Sequence, residues 1–277
     1  MTNPDPSRSS WWMRPATARV DDYLAGGDDN YFSDRELAGR LVEAAPWLPD
    51  MIRTNRAHGH DVVTTLAKEH GIRQVLALGC GLPPCLHRME GHRPPTTFES
   101  VTDVHKDARV VYADHDPRVF GRARMALAED TGTAAVHADI RQWDQLLDHP
   151  ALDLFDRTAR ILVLVHDLLT WVNLGAADAA MSTLRRRLPA GSAISLTHAT
   201  TDTDPQAMSA LIGHYAKAGI EYRPRSLEQI EALLGPWALL PPGIVSTAQW
   251  HSAARDAGQL PPADHSFAYA AVAMKPT

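Results

Sequence analysis

The chain has 277 residues, 44% hydrophobic and 22% charged, which excludes disordered, collagen-like and fibrous classes and leaves enough chain for a sizeable core. Its 27 Lys and Arg against 33 Asp and Glu give a formal charge of -6, with no basic stretch beyond Arg185-Arg186-Arg187, so a nucleic-acid partner is not expected. Two cysteines, Cys80 and Cys85, make neither a disulfide framework nor a zinc site, no apolar run reaches membrane-spanning length, and the N-terminus lacks a signal-peptide core. The expectation is a reduced, cytoplasmic protein without a membrane or metal partner.

Residues 1 to 18 are rich in Pro and Ser and carry the adjacent pair Trp11-Trp12. Residues 19 to 70 read as helices broken at Gly26-Gly27, Pro46 and Pro49. From residue 72 short β-rich runs alternate with helical patterns: Val75 to Leu78, Val110 to Ala113, Ala134 to His137, Ile161 to Val165 and Ala193 to Thr197. This is the pattern of a parallel sheet covered by helices on both faces. A helix comes next over Pro205 to Ala218, then a capping box at Ser226 with Gln229, then strands over Ala238 to Val245 and Phe267 to Met274. The expected organisation is an N-terminal helical lid over 1–70 and one α/β domain over 71–277, with seven strands.

The most informative stretch is Val75-Leu76-Ala77-Leu78-Gly79-Cys80-Gly81-Leu82-Pro83-Pro84. A buried strand that ends in Gly-x-Gly brings backbone close to a ligand at the carboxyl edge of the sheet. A dinucleotide site wants a third glycine where Pro84 stands, which argues against a nicotinamide cofactor. The second strand delivers Asp114-His115-Asp116-Pro117, and a carboxylate there can accept from both hydroxyls of a ribose. The third delivers Asp139-Ile140, where the carboxylate can accept from an adenine amino group and the isoleucine can cover the ring. Asp114 and Asp116 can also be read as helix caps. The order of the three strand ends favours a nucleoside site without a diphosphate.

These motifs resemble class I S-adenosylmethionine (SAM) dependent methyltransferases, and more closely an actinobacterial group with an N-terminal Tyr-Leu-x-Gly-Gly-x-x-Asn-Tyr/Phe motif. Here that motif runs from Arg19 through Asp21-Asp22-Tyr23-Leu24-Ala25-Gly26-Gly27 to Asn30-Tyr31, followed by Asp34-Arg35 and Asn55-Arg56. Leu188 to Ser192 and Ser195 to Ala199 match as well, so the resemblance runs from about Ala18 to the last strand. Two departures stand out: Ala77 where the family usually has Asp, and residues 87–95, which look like an insertion. The resemblance implies a Rossmann-like fold with a seven-stranded, mostly parallel sheet whose last strand is antiparallel, and SAM bound over the first four strand ends. The cofactor-binding residues implied are Tyr23, Gly79, Cys80, Gly81, Asp114, His115, Asp139 and Ile140. It also implies a small aromatic acceptor under the N-terminal helices, with a homodimer as the possible assembly.

A sulfonium methyl donor is already a strong electrophile, so the protein must align a nucleophile, exclude water and take a proton where one masks the nucleophile. The fourth strand end, which faces the methyl group in this fold, carries His166-Asp167 before Leu168. Either side chain can act as base, and Asp167 can alternatively cap a helix over Leu168 to Leu174. Tyr23 and Tyr31 can stabilise a sulfonium through their aromatic faces. Trp11, Trp12, Tyr31, His198 and Tyr215 are expected at the acceptor, with Tyr222 a weaker suggestion. His58-Gly59-His60, and His87 with His92, read as surface residues, and the triple arginine as a solvated helix C-terminus. Some relatives in the group methylate C3 of the indole in tryptophan-containing cyclodipeptides to give pyrroloindolines. The same activity is expected here, with an O- or N-methyltransferase of another secondary metabolite, or a catalytically silent SAM-binding regulator, as alternatives.

Overall fold

A computed structural model describes residues 11–83, 95–127, 130–250 and 266–277. Five strands lie parallel: β1 (Gln74–Leu78), β2 (Arg109–Asp114), β3 (Thr133–His137), β4 (Leu162–His166) and β5 (Ala193–Ala199). They are joined by the short β6 (Ala238–Leu239) and β7 (Val245–Ser246) and by β8 (Ala268–Met274). The sheet order is β3-β2-β1-β4-β5-β8-β6, with β7 also on β8 and β8 antiparallel to β5. The architecture is therefore the expected Rossmann-like α/β fold.

Period-two alternation divides each central strand between two faces. Leu76, Leu78, Val163, Val165, Ile194 and Leu196 pack on one side with α7 (Leu174–Arg187) and α9 (Leu227–Leu234). Val75, Ala77, Leu162 and Leu164 pack on the other, against Val62, Val63 and Leu66 of α3 (Leu48–His70). Each fully buried Leu or Val contributes roughly 1.5 to 3 kcal/mol of transfer energy, which is why these strands read as unbroken apolar runs. A third cluster joins α1 (Thr17–Leu24), α2 (Phe32–Ala44) and the first turns of α3 to α8 (Pro205–Lys217) and Phe267. The long α3 thus belongs to both layers, its start among the N-terminal helices and its end on the sheet.

Several boundaries differ from those the sequence suggests. The expected strand over Ala238 to Val245 is two short strands around Leu240-Pro241-Pro242-Gly243, because proline cannot donate to a sheet ladder. Pro49 does not break a helix but lies in the first turn of α3, where its missing N–H costs nothing. No α-helix spans Leu168 to Leu174; a 3-10 turn covers Leu169–Trp171, and α7 starts after the Asn173 cap. The Ser226–Gln229 capping box is present, and the three arginines close α7, with Arg187 Nη2 2.6 Å from Asp148. Cys85, His87, His92 and the insertion up to residue 94 lie outside the described residues. No described helix is long and apolar enough to cross a membrane.

Register brings the strand ends to one edge. Leu78 is level with Ala113 and Val165, Asp114 with His137, and His166 with Thr197. The segments after these residues leave the sheet together, beneath α1 and the first half of α3.

Candidate active site

After β1 the chain turns through Gly79 and Gly81, both with positive φ (58° and 65°). Any Cβ at Gly79 would sit 2.6 Å from Cδ1 of Leu168, so only glycine fits this turn. The turn is tied to β2: Gly79 N–H donates to the Ala113 carbonyl at 2.8 Å, and Gly81 N–H to Oδ2 of Asp114 at 3.1 Å. Oδ1 of Asp114 accepts from Asp116 N–H at 2.9 Å. Asp116, not Asp114, caps α5 (Pro117–Ala126), accepting from Arg118 N–H. Asp114 is buried, and its hydrogen bond to His115 raises the imidazole pKa above its ordinary value. Burial pushes the Cys80 thiol up, so it stays protonated. Asp139 is gripped by Arg141, which holds its carboxyl below the usual range. It shares a hollow of about 390 Å³ with His115, His137 and His149.

A separate cavity of about 360 Å³ opens from Gly79–Gly81 toward α1, α3 and α8. His166 and Asp167 both line it. Neighbouring strand residues point to opposite faces, but β4 ends at His166 and Asp167 takes φ 51°, a left-handed conformation that turns both side chains to the same space. Among the described residues Asp167 is the one non-glycine with positive φ, a strain worth about 1 to 3 kcal/mol of the kind that collects at functional sites. Its backbone N–H donates to Thr197, and Nδ2 of the buried Asn55 reaches both carboxylate oxygens at 2.9 and 2.8 Å. Asp167 is therefore not a helix cap. Burial raises its carboxyl pKa to about 6, with the Asn55 and Thr197 hydrogen bonds and Arg56 opposing the rise.

His166 Nε2 lies 2.8 Å from Ser195 Oγ, which in turn lies 3.5 Å from Nε2 of His58. Burial lowers His166 to about 4 and His58 well below its ordinary value, so both rings are neutral near pH 7. His58 is not at the surface, as its sequence context suggests, but buried on α3 beside Trp250. His60 lines the cavity with its Nδ1 against Ser100 Oγ.

The far wall is aromatic. Trp171, Tyr215 and Tyr222 contact one another with centroids 4.9 to 5.3 Å apart. The buried Tyr222 hydroxyl has no hydrogen-bond partner among the described residues. Asp21 from α1 and Arg56 from α3 complete the wall.

The expected acceptor residues are thus only partly gathered here. Tyr215 is in the wall, whereas His198 is fully buried behind it, its Nδ1 2.8 Å from the Ala199 carbonyl and its Nε2 on Arg225. Tyr23, expected at the cofactor, packs among the N-terminal helices, and Tyr31, expected at the acceptor, is 42% exposed beneath the Arg19 guanidinium, away from the cavity wall. Trp12 is 44% exposed in the turn Trp11–Met13, and the Trp11 side chain lies outside what is described. Asp21, Asn55 and Arg56 occur in the N-terminal motif, yet nothing in their local pattern marks them as cavity groups. Helical phase relative to Val20 and Leu24 is the one available signal for Asp21.

A family model described as S-adenosyl methyltransferase matches residues 7–276. A DUF574 family protein from Streptomyces avermitilis MA-4680 is 32% identical, with 95% of this chain and 98% of that one covered and a TM-score of 0.87. A candidate methyltransferase from Thermobifida fusca YX is 30% identical over 99% and 100% of the two chains, with a TM-score of 0.86. The plantazolicin methyltransferase BpumL, solved with S-adenosylhomocysteine, shares the fold at 13% identity, with 94% and 95% covered and a TM-score of 0.54. No curated protein matches the chain.

Proposed function

The chain belongs to the S-adenosyl methyltransferase family and is a SAM-dependent methyltransferase; from that premise we propose that it methylates a small aromatic natural product, with C3 of the indole in tryptophan-containing cyclodipeptides as the specific acceptor. The observation that carries this reading is the cavity itself. It joins the Gly79–Gly81 turn to three aromatic rings and a strained, half-buried carboxylate around one space.

The residues present fit SAM. A Cβ on Gly81 would meet nothing within 4 Å, leaving its backbone open to a ligand. Asp114 is held by backbone N–H groups with lone pairs to spare for ribose hydroxyls. Asp139 and Ile140 would serve the adenine, and Gly79, Cys80 and Gly81 the chain that leads to sulfur. When bound, SAM supplies an electrophilic methyl group and leaves as S-adenosylhomocysteine.

The protein's part is orientation, exclusion of water and proton removal. Trp171, Tyr215 and Tyr222 offer faces on which an indole can stack. Asp167, fixed by Asn55 and anionic at neutral pH, would accept the indole N–H and raise electron density at C3. His166 is neutral, with Nε2 held on Ser195, and serves as a wall residue and alternative acceptor. The helices before Gly71 would close the acceptor side. The same aromatic wall with acidic side chains also suits an amine, so N-methylation is the second reading.

Incubation with SAM and a panel of tryptophan cyclodipeptides tests the reading. The expected result is S-adenosylhomocysteine formed in step with loss of the indole absorption. Product with unchanged indole absorption overturns C3 chemistry in favour of O- or N-methylation, and SAM binding without turnover on any acceptor favours a silent regulator.

A further inference from the structure

We propose that Asp21 is a second carboxylate of the site, which takes over from Asp167 the proton released by the methyl acceptor. The proposal rests on the methyl-transfer reading of the cavity.

Helix α1 buries Val20 and Leu24 in the core, and its other acidic residue has a structural task. Asp22 accepts from Asn30 Nδ2 at 3.0 Å and lies so close to Gly27 that a Cβ there would be 2.1 Å from Oδ1. Asp21 has no such task. It lines the cavity, and among the described residues no donor hydrogen-bonds its carboxylate. A carboxylate that sits half-buried in a protein-lined cavity without a hydrogen-bond partner favours its protonated form.

The groups that face Asp21 are Asp22 on its own helix, Arg56 on α3, Asp167 after β4, and the Tyr215 and Tyr222 hydroxyls. Burial pushes its carboxyl up to about 7, Asp167 and Asp22 push the same way, and Arg56 opposes them. Asp167 sits lower, at about 6, because Asn55 and Thr197 stabilise its anion. Two carboxylates whose surroundings separate their proton affinities divide the work. Asp167 is fixed and charged, suited to meet the N–H, while Asp21 is unanchored and binds the proton more tightly.

For an indole acceptor, atoms and electrons balance. The C2–C3 π pair forms the bond to the methyl carbon, and the carbon–sulfur pair leaves with the thioether. The nitrogen lone pair becomes the nitrogen–C2 π bond, the N–H pair stays on nitrogen as its new lone pair, and the proton passes to Asp167 and from it to an Asp21 oxygen. The carboxylate pair then returns that proton to solvent.

The test uses the full chain labelled with 13C-carboxyl aspartate, without cofactor, followed by NMR against pH. One carboxyl with a midpoint of about 7 is expected, absent in Asp21→Asn and moved to lower pH in Asp167→Asn. In turnover assays Asp21→Asn should keep its KM for SAM within about twofold and lose roughly tenfold or more in kcat. The rising limb of its pH profile should move to lower pH, and Asp21→Glu should recover part of kcat. A midpoint of about 7 that survives in Asp21→Asn, or a wild-type kcat and pH profile in that variant, overturns the proposal. If tryptophan cyclodipeptides are not converted while the titrations behave as expected, the acceptor reading fails and the carboxylate pair stands.

Discussion

The two halves of the carboxyl edge treat their polar groups in opposite ways. On the cofactor side, Asp114, Asp116 and Asp139 are all partnered by backbone N–H groups or by a nearby arginine. On the acceptor side, the buried Tyr222 hydroxyl has no hydrogen-bond partner among the described residues, the half-buried Asp21 carboxylate lines the cavity unanchored, and Asp167 is held by Asn55, 112 positions away. The difference separates binding from chemistry. A cofactor grip needs fixed anions: Arg141 holds the Asp139 carboxyl below the usual range, and hydrogen bonds fix Asp114 and Asp116 in place, although burial raises Asp116. A group that must exchange a proton needs an environment in which its two charge states are close in energy, and burial supplies it.

The largest effect that can break this contrast is at Asp167. Asp167→Asn keeps the size of the side chain and tolerates the left-handed backbone, but removes the proton acceptor. Turnover should fall roughly 10²- to 10⁴-fold while SAM affinity and melting temperature stay near wild type. A variant that loses fold stability with unchanged turnover would show that Asp167 is a purely structural residue. Second in size is Asp114→Ala, which removes the carboxylate on the other side. Calorimetry should show SAM binding weakened by about 1.5 to 3 kcal/mol, the range for hydrogen bonds to a charged group. The acceptor specificity of what activity remains should be unaltered.

The histidines sharpen the comparison, since they shift in opposite directions. On the cofactor side, the hydrogen bond that His115 donates to Asp114 raises the imidazole. On the acceptor side, burial lowers His58 and His166, the latter to about 4. The signs come from linkage. Between the unfolded value of 6.5 and about 4, the unfolded chain binds protons that the folded His166 does not, so acidification through this window should destabilise the protein. The His115 contribution runs the other way: it is complete below 6.5 and lost as pH rises through its raised value. NMR titration of the imidazole resonances checks both. A His166 that titrates near 6.5 would mean that the acceptor cavity is far wetter than its wall suggests.

The same contrast explains what could be read from sequence. The Gly79-x-Gly81 turn and Asp114 close apolar runs that read as buried strands, and Asp139 follows the half-buried edge strand β3. The fold was legible for the same reason, since Val75 to Leu78 or Ile161 to Val165 need no distant contact to be recognised. The acceptor wall combines residues 21, 55, 56, 166, 167, 171, 215 and 222 from four separate stretches. Asp21 and Asp22 are adjacent and chemically identical, and only the turn of α1 against α3 decides which is a structural anchor and which faces the cavity. Trp12 and Tyr31 stand out in the sequence as aromatics, but at 44% and 42% exposure they lie outside the cavity wall, which only the folded chain reveals. The buried polar contacts of His58 and His198 depend on strands and helices that meet only after folding.

The smallest expected effect is at the Tyr222 hydroxyl, and it separates packing from recognition in the aromatic wall. The ring is fixed by Trp171 and Tyr215, with centroids 5.0 and 4.9 Å away, so Tyr222→Phe leaves the stacking surface intact. The hydroxyl itself is buried and unpartnered, and leaving a polar group in that state costs stability. Its removal should therefore hold or raise the melting temperature. If the hydroxyl is kept because an acceptor completes its hydrogen bond, the same substitution should raise KM for that acceptor by the equivalent of roughly 0.5 to 1.5 kcal/mol, with kcat and SAM affinity unchanged. An unchanged KM across all acceptors would assign Tyr222 to packing alone and confine polar recognition in this half of the cavity to its two carboxylates and the groups that hold them.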